Sequence, residues 1–245
     1  MEFLELLKTG RPVLLDGGMG TMLQAKGLPV GATPELVALE HPNWLREIHG
    51  AYLEAGSQIL YANTFGANRE KLSHCGKTVE EIVPAAVALA KEAAGDRALV
   101  ALDIGPTGQL LEPTGILDFE TAVDIFAQVV RAGAAAGADL IVIETMTDLY
   151  ELKAAVLAAR ESCHLPVLAT AAFGENGRLL TGGDAAALVS LLEALGVDAL
   201  GLNCGAGPLQ LSAPVRQLVH LSSVPVIFKP NAGLPHTAED GSVRY

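Results

Sequence analysis

The chain has 245 residues, 50% of them hydrophobic and 18% charged, a length and balance that suit one soluble globular domain spanning 1–245. A formal net charge of −12 argues against nucleic-acid and anionic-membrane partners, which need Lys and Arg to replace their counterions. Three irregularly spaced cysteines make no disulfide framework, Met1 to Glu5 lacks the basic start of a signal peptide, and no run of 18 apolar residues occurs, so the expected setting is cytoplasmic.

In chain order, a short helix from about Glu2 to Lys8 precedes a first strand over 13–15. That strand ends in Asp16-Gly17-Gly18-Met19-Gly20-Thr21, where glycines let the backbone turn tightly and present N–H groups to a small anion. A dinucleotide fingerprint is disfavoured, because residue 23 is Leu where a third glycine is needed. Trp44, Leu45, Ile48, Tyr52 and Leu53 have helical spacing and predict a helix over 41–55, with Pro42 to start it and Gly56 to end it. Further strands are predicted at 59–62, 99–102, 140–143, 167–170, 199–203 and 226–228. Helices over 78–94, 118–136, 149–162, 184–195 and 209–221 separate them, and Thr78 and Glu81 are spaced as a capping box. Residues 236–245 are polar and show no strand or helix pattern.

Seven strand and helix alternations of roughly 30 to 40 residues each predict a (β/α)8 TIM-type barrel that lacks its eighth strand and last helix. A doubly wound sheet is the alternative. Strand ends in a barrel converge on one cavity, which would gather Asp16, Glu144, Cys204 and Asn231 around a glycine-lined mouth. Carboxylates pair with an ammonium group and free backbone N–H groups accept a carboxylate, so the cluster suits an amino acid. Cys204 is a candidate nucleophile or metal ligand, against the plainer role of a small buried hydrophobe. The six histidines lack metal-ligand spacing and receive no role. Met19, Met22 and Met146 lie near the mouth, where they could line a pocket for a thioether, though methionine more commonly fills core.

Six segments, among them Leu15-Asp16-Gly17-Gly18-Met19-Gly20-Thr21, Asn63-Thr64-Phe65-Gly66, Asp103-Ile104-Gly105-Pro106-Thr107-Gly108, Glu144-Thr145-Met146, Asn203-Cys204-Gly205 and Pro230-Asn231-Ala232-Gly233, together resemble the homocysteine S-methyltransferase family. The likeness is strongest to its cobalamin-dependent branch. It implies a zinc-dependent barrel that transfers a methyl group to the homocysteine thiol, with Cys204 as the first of three zinc thiolates and the metal-bound substrate as the nucleophile. It further implies that Asp16 and Glu144 hold the amino group, that Gly17, Gly18, Met19, Gly20 and Thr21 hold the carboxylate, and that Asn203 and Asn231 contact the substrate. The resemblance to the cobalamin-dependent branch favours a methyl-corrinoid on another module as methyl donor, with a small-molecule donor such as S-methylmethionine or betaine, used elsewhere in the family, as the alternative. The family's Gly-Gly-Cys-Cys pair is absent from these residues, which leaves open a relative that binds an amino acid without zinc. An aldolase-like barrel using Lys229 is a third, weaker alternative.

Overall fold

The computed structural model describes residues 3–233, together with the backbone of residues 236–237 and 243–244. Helix α1 (Phe3–Lys8) leads to a segment that makes a single parallel bridge, from Leu15 to Ile59, in place of the expected first strand. The reason is local. Pro12 has no N–H for a ladder, and the next rung is made by the Asp16 carboxylate, whose Oδ2 accepts from the Tyr61 N–H at 2.7 Å.

Helix α2 (Met19–Ala25) begins within the expected glycine loop, so Met19, Gly20 and Thr21 form a helical first turn and only Gly17 and Gly18 remain loop. Neither glycine is there for a left-handed turn, since Gly18 has φ −70. Gly17 is there for space, because a Cβ would stand 2.7 Å from the Tyr52 hydroxyl. After α3 (Val37–Glu40), helix α4 (Pro42–Glu54) starts at the proline as expected and packs through Leu45, Ile48 and Leu53.

The sheet then builds strand by strand: β1 (Ile59–Tyr61), α5 (Arg69–Leu72), α6 (Val79–Ala94), β2 (Leu99–Ile104), α7 (Phe119–Ala135), β3 (Leu140–Met146), α8 (Leu149–Ser162), β4 (Val167–Ala171), α9 (Ala185–Ala194), β5 (Ala199–Asn203), α10 (Ser212–Leu221) and β6 (Val226–Lys229). All pairings are parallel and follow chain order from β1 to β6. This is a partial barrel rather than a doubly wound sheet, whose strand order would reverse. Caps fall where side chains can provide them. Thr78 and Glu81 form the reciprocal capping box on α6, and Asp118, Asp148 and Asp184 cap α7, α8 and α9. Contrary to expectation, residues past 235 do pair: β7 (His236–Thr237) and β8 (Val243–Arg244) form a two-residue antiparallel ribbon outside the main sheet.

Two apolar layers sandwich the strands. Leu60, Val100, Leu102, Ile141, Ile143, Leu200 and Leu202 pack against the helices. Ile59, Leu99, Leu140, Val142, Leu168 and Ala199 fill the barrel axis, and Phe3 and Leu6 of α1 plug its lower end. Between the Val13–Asp16 segment and the far edge on β6 runs a seam, a cleft of about 380 Å³ lined largely by apolar side chains.

One buried group fits this core poorly. His49 on α4 is fully buried, neither ring nitrogen has a partner among the described residues, and burial pushes its pKa down to about 4. Its contribution to stability is therefore full above pH 6.5, the unfolded value, and is lost as pH falls through about 4. His49→Leu removes an orphaned ring N–H at similar volume and is expected to add about 1 to 2 kcal/mol at neutral pH. It should also flatten the acid limb of a urea-denaturation series. Equal midpoints for the two proteins at neutral pH would mean that the imidazole is satisfied.

Candidate active site

The carboxyl ends of the strands open on one cavity of about 370 Å³. Asp16, Gly17, Gly18, Met19, Gly20, Glu144, Asn203, Cys204 and Asn231 all line it, so nearly the whole sequence-derived site is brought together. Thr21 does not line it, and its hydroxyl donates to the Gly18 carbonyl at 3.1 Å within the first turn of α2. Met19 reaches the cavity, Met22 packs between α2 and its neighbours, and Met146 is buried core.

Several wall residues were missed or misjudged from sequence, among them Glu35, Thr145 and three that carry the electrostatics. Tyr61, Asp103 and Lys229 stand with Asp16 and Glu144 in one charged cluster. The Lys229 ammonium lies 3.5 Å from Asp16 Oδ1, 3.6 Å from Glu144 Oε2, and 3.7 Å from the centre of the Tyr61 ring. Burial by itself would push the Lys229 pKa down, but Glu144, Asp16 and Asp103 outweigh it and the net shift is upward. A lysine paired with two carboxylates and held as an ammonium is a poor Schiff-base nucleophile, which argues against the aldolase alternative.

The carboxylates are strained by burial. Asp16 is raised to about 6, because burial and the nearby Glu144 outweigh Lys229 and the Tyr61 N–H bond. Asp103 is pushed well above the carboxylate range, first by burial and then by Glu144. Asp16 Oδ1 and Asp103 Oδ1 are both buried without a hydrogen-bond donor among the described residues. Buried acceptors in this state favour a ligand that brings N–H groups.

The opposite wall carries the thiol. Asn203 at the end of β5 accepts through Oδ1 from the Thr145 N–H at 2.8 Å and from the Thr170 hydroxyl at 2.8 Å. Its Nδ2 donates to Thr145 Oγ1 at 2.7 Å and to Cys204 Sγ at 3.4 Å. This amide clamps the ends of β3, β4 and β5 together and aims the sulfur. Thr145 and Cys204 both hold positive φ, 61 and 54, which costs a residue with a Cβ on the order of 1 to 2 kcal/mol each. Burial pushes the Cys204 thiol up, and the Thr145 hydroxyl bond offsets part of this.

Zinc needs three or four protein ligands. Among the described residues no three His, Cys, Asp or Glu side chains are grouped to hold a metal, and Cys75 and Cys163 sit after α5 and at the end of α8, away from this cavity. The described donor set, one thiol beside an amide and a hydroxyl, does not make a zinc site.

Residues 13–245 match the homocysteine S-methyltransferase family. The chain belongs to this family. It is 32% identical over 251 residues to the methionine synthase of Mycobacterium tuberculosis, covering 95% of this chain and 21% of that protein, and 31% identical to the methionine synthase of Mycobacterium leprae, covering 97% and 21%. The chain thus spans about a fifth of the length of these relatives. Its fold is similar to that of the metallated homocysteine methyltransferase MmuM from Escherichia coli, with a TM-score of 0.83 and 25% identity over 94% of this chain and 87% of the other. No helix among the described residues is long and apolar enough to cross a membrane.

Proposed function

We propose that this chain is the homocysteine-binding barrel of a methyltransferase that yields methionine. The observation that supports it best is the pairing, across one cavity of about 370 Å³, of an acidic cluster with unsatisfied acceptors and a thiol aimed by a strained clamp. Asp16 and Glu144, with Asp103 behind them, hold the substrate's ammonium group, and the N–H groups from Gly17 onward hold its carboxylate. The substrate's sulfur then extends toward Cys204. In the reaction a sulfur–methyl bond forms, the bond from methyl to donor breaks, and the thiol proton is lost. Zinc, which the family resemblance implies, would supply the thiolate, drawing one ligand, Cys204, from the described residues. The donor in this reading is a methyl-corrinoid presented by another module. An eighth strand bringing the remaining thiolates would fit the seam between Val13–Asp16 and β6.

The thin donor set favours a second reading, an amino-acid-binding barrel of the same family that works without zinc. Metal analysis separates the two. Dialysed residues 1–245 are expected to retain less than about a tenth of a zinc per chain, since one thiolate cannot hold the ion. A longer form that carries paired downstream cysteines should hold about one zinc and lose it on Cys204→Ser. Zinc kept after Cys204→Ser would remove Cys204 from the site. A longer form that binds L-homocysteine yet takes up no zinc would establish the second reading.

A further inference from the structure

We propose that Lys229 is the charge partner of the substrate's α-carboxylate, so that the cavity recognises both ends of an amino-acid zwitterion. The proposal rests on the ammonium seat described above and deepens it. Among the described residues the acidic side chains lining the cavity are Asp16, Glu35, Asp103 and Glu144, and the one basic side chain is Lys229. A carboxylate entering such a wall is repelled everywhere except beside that cation. The backbone N–H groups of the Gly17 turn supply dipoles but no net charge, and so cannot offset this repulsion alone.

The geometry leaves room for both substrate groups. Charge-assisted N–H···O bonds run about 2.7 to 2.9 Å, whereas Lys229 Nζ stands 3.5 and 3.6 Å from its two carboxylate neighbours and rests over the Tyr61 ring. Lys229 therefore screens the carboxylates without closing a short bond to either. Asp16 and Asp103 are buried behind it, and Glu144, with 13% of its side chain exposed, is the carboxylate that an entering ammonium group can reach. In any α-amino acid the nitrogen and the nearer carboxylate oxygen are about 3 Å apart. A substrate nitrogen beside Glu144, whose Oε2 is 3.6 Å from Lys229 Nζ, can therefore place its carboxylate within ion-pair reach of Lys229, whose side chain is 22% exposed.

The test is calorimetric titration with two metal-independent probes: L-methionine and its decarboxylated counterpart, 3-(methylthio)propan-1-amine. Wild-type protein should prefer L-methionine by about tenfold or more, the scale of one hydrogen-bonded charge pair. Lys229→Met should abolish that preference by weakening L-methionine alone, and Lys229→Arg should keep it. Because Lys229→Met strips the cation from buried carboxylates, the wild-type preference and the Lys229→Arg result are readouts that do not depend on that variant folding. Equal weakening of both probes in Lys229→Met would make the lysine a structural counter-ion and overturn the proposal. Tighter binding of both would make it a plug in the ammonium seat and would overturn the proposal equally. Wild-type protein that binds the amine with no preference for L-methionine overturns the carboxylate role and leaves the ammonium seat standing. Failure of both probes to bind overturns the two together.

Discussion

Gly201→Ala is expected to abolish folding or cost more than about 4 kcal/mol, a large share of the roughly 5 to 15 kcal/mol that holds a typical domain together. A Cβ at this position would collide with the Ile227 carbonyl oxygen and stand 2.7 Å from the Ile227 nitrogen and carbonyl carbon. These are backbone atoms of the paired strand, with Gly201 and Ile227 in register between β5 and β6, so no side chain can swing aside. The strands would have to part. Because β6 carries Lys229 and leads into Asn231, the same displacement would dismantle the acidic cluster. Circular dichroism and urea denaturation of the purified variant measure the effect, and a wild-type midpoint would mean that the two backbones are farther apart than described.

Glu144→Gln is expected to weaken L-homocysteine or L-methionine binding by about 1.5 to 3 kcal/mol, roughly tenfold to 150-fold, while leaving the fold intact. The amide keeps the shape and removes the charge that faces the ammonium. An unchanged dissociation constant by calorimetry would reassign Glu144 to structure. Asp16 adds a pH dependence to the same measurement. With a folded-state pKa of about 6, Asp16 is the weaker acceptor below that pH, so affinity should fall on acidification, and Asp16→Asn should flatten the profile. Stability moves the other way. A raised carboxylate pKa contributes stability that is full below the unfolded value of 3.8 and is lost as pH rises through about 6. That trend opposes the one from His49 over much of the same range, so Asp16→Asn and His49→Leu should change the pH dependence of stability in opposite directions.

Periodicity made most of this architecture legible. The apolar runs at Leu140–Ile143 and Ala199–Asn203 are buried strands, and the capping box at Thr78 marks a real helix start. The glycines of residues 17 to 20 misled, because tight packing against Tyr52 and tight turning leave the same mark in a sequence. The strand expected over 13–15 shrank to a bridge for a related reason: the apolar run is present, but a side-chain carboxylate takes over its ladder. Asp16, Glu144 and Cys204 could be placed because each ends an apolar run. Asp103 ends the apolar run Leu99–Leu102 in the same way, but only the fold shows that it stands in the charged cluster, with β2 continuing through it to Ile104. Lys229 was considered only as a nucleophile, since its carboxylate neighbours come from distant strands and only the closed curvature of the sheet brings them near.

Positive φ at Thr145 and Cys204 has a geometric consequence beyond its energetic cost. Successive side chains on a regular strand face opposite sides, so a strand end ordinarily gives a barrel mouth every second residue. Here Glu144 and Thr145 both line the cavity, as do Asn203 and Cys204, and the β3–β4 register slips between Ile143 and Met146 where the first pair lies. The left-handed residue breaks the parity of the pleat, turning a side chain that would point into the helical layer back toward solvent. Each of these two strands thereby contributes two adjacent functional groups where the pleat allows one, and a mouth with few strand ends gains the density of chemistry of a larger one.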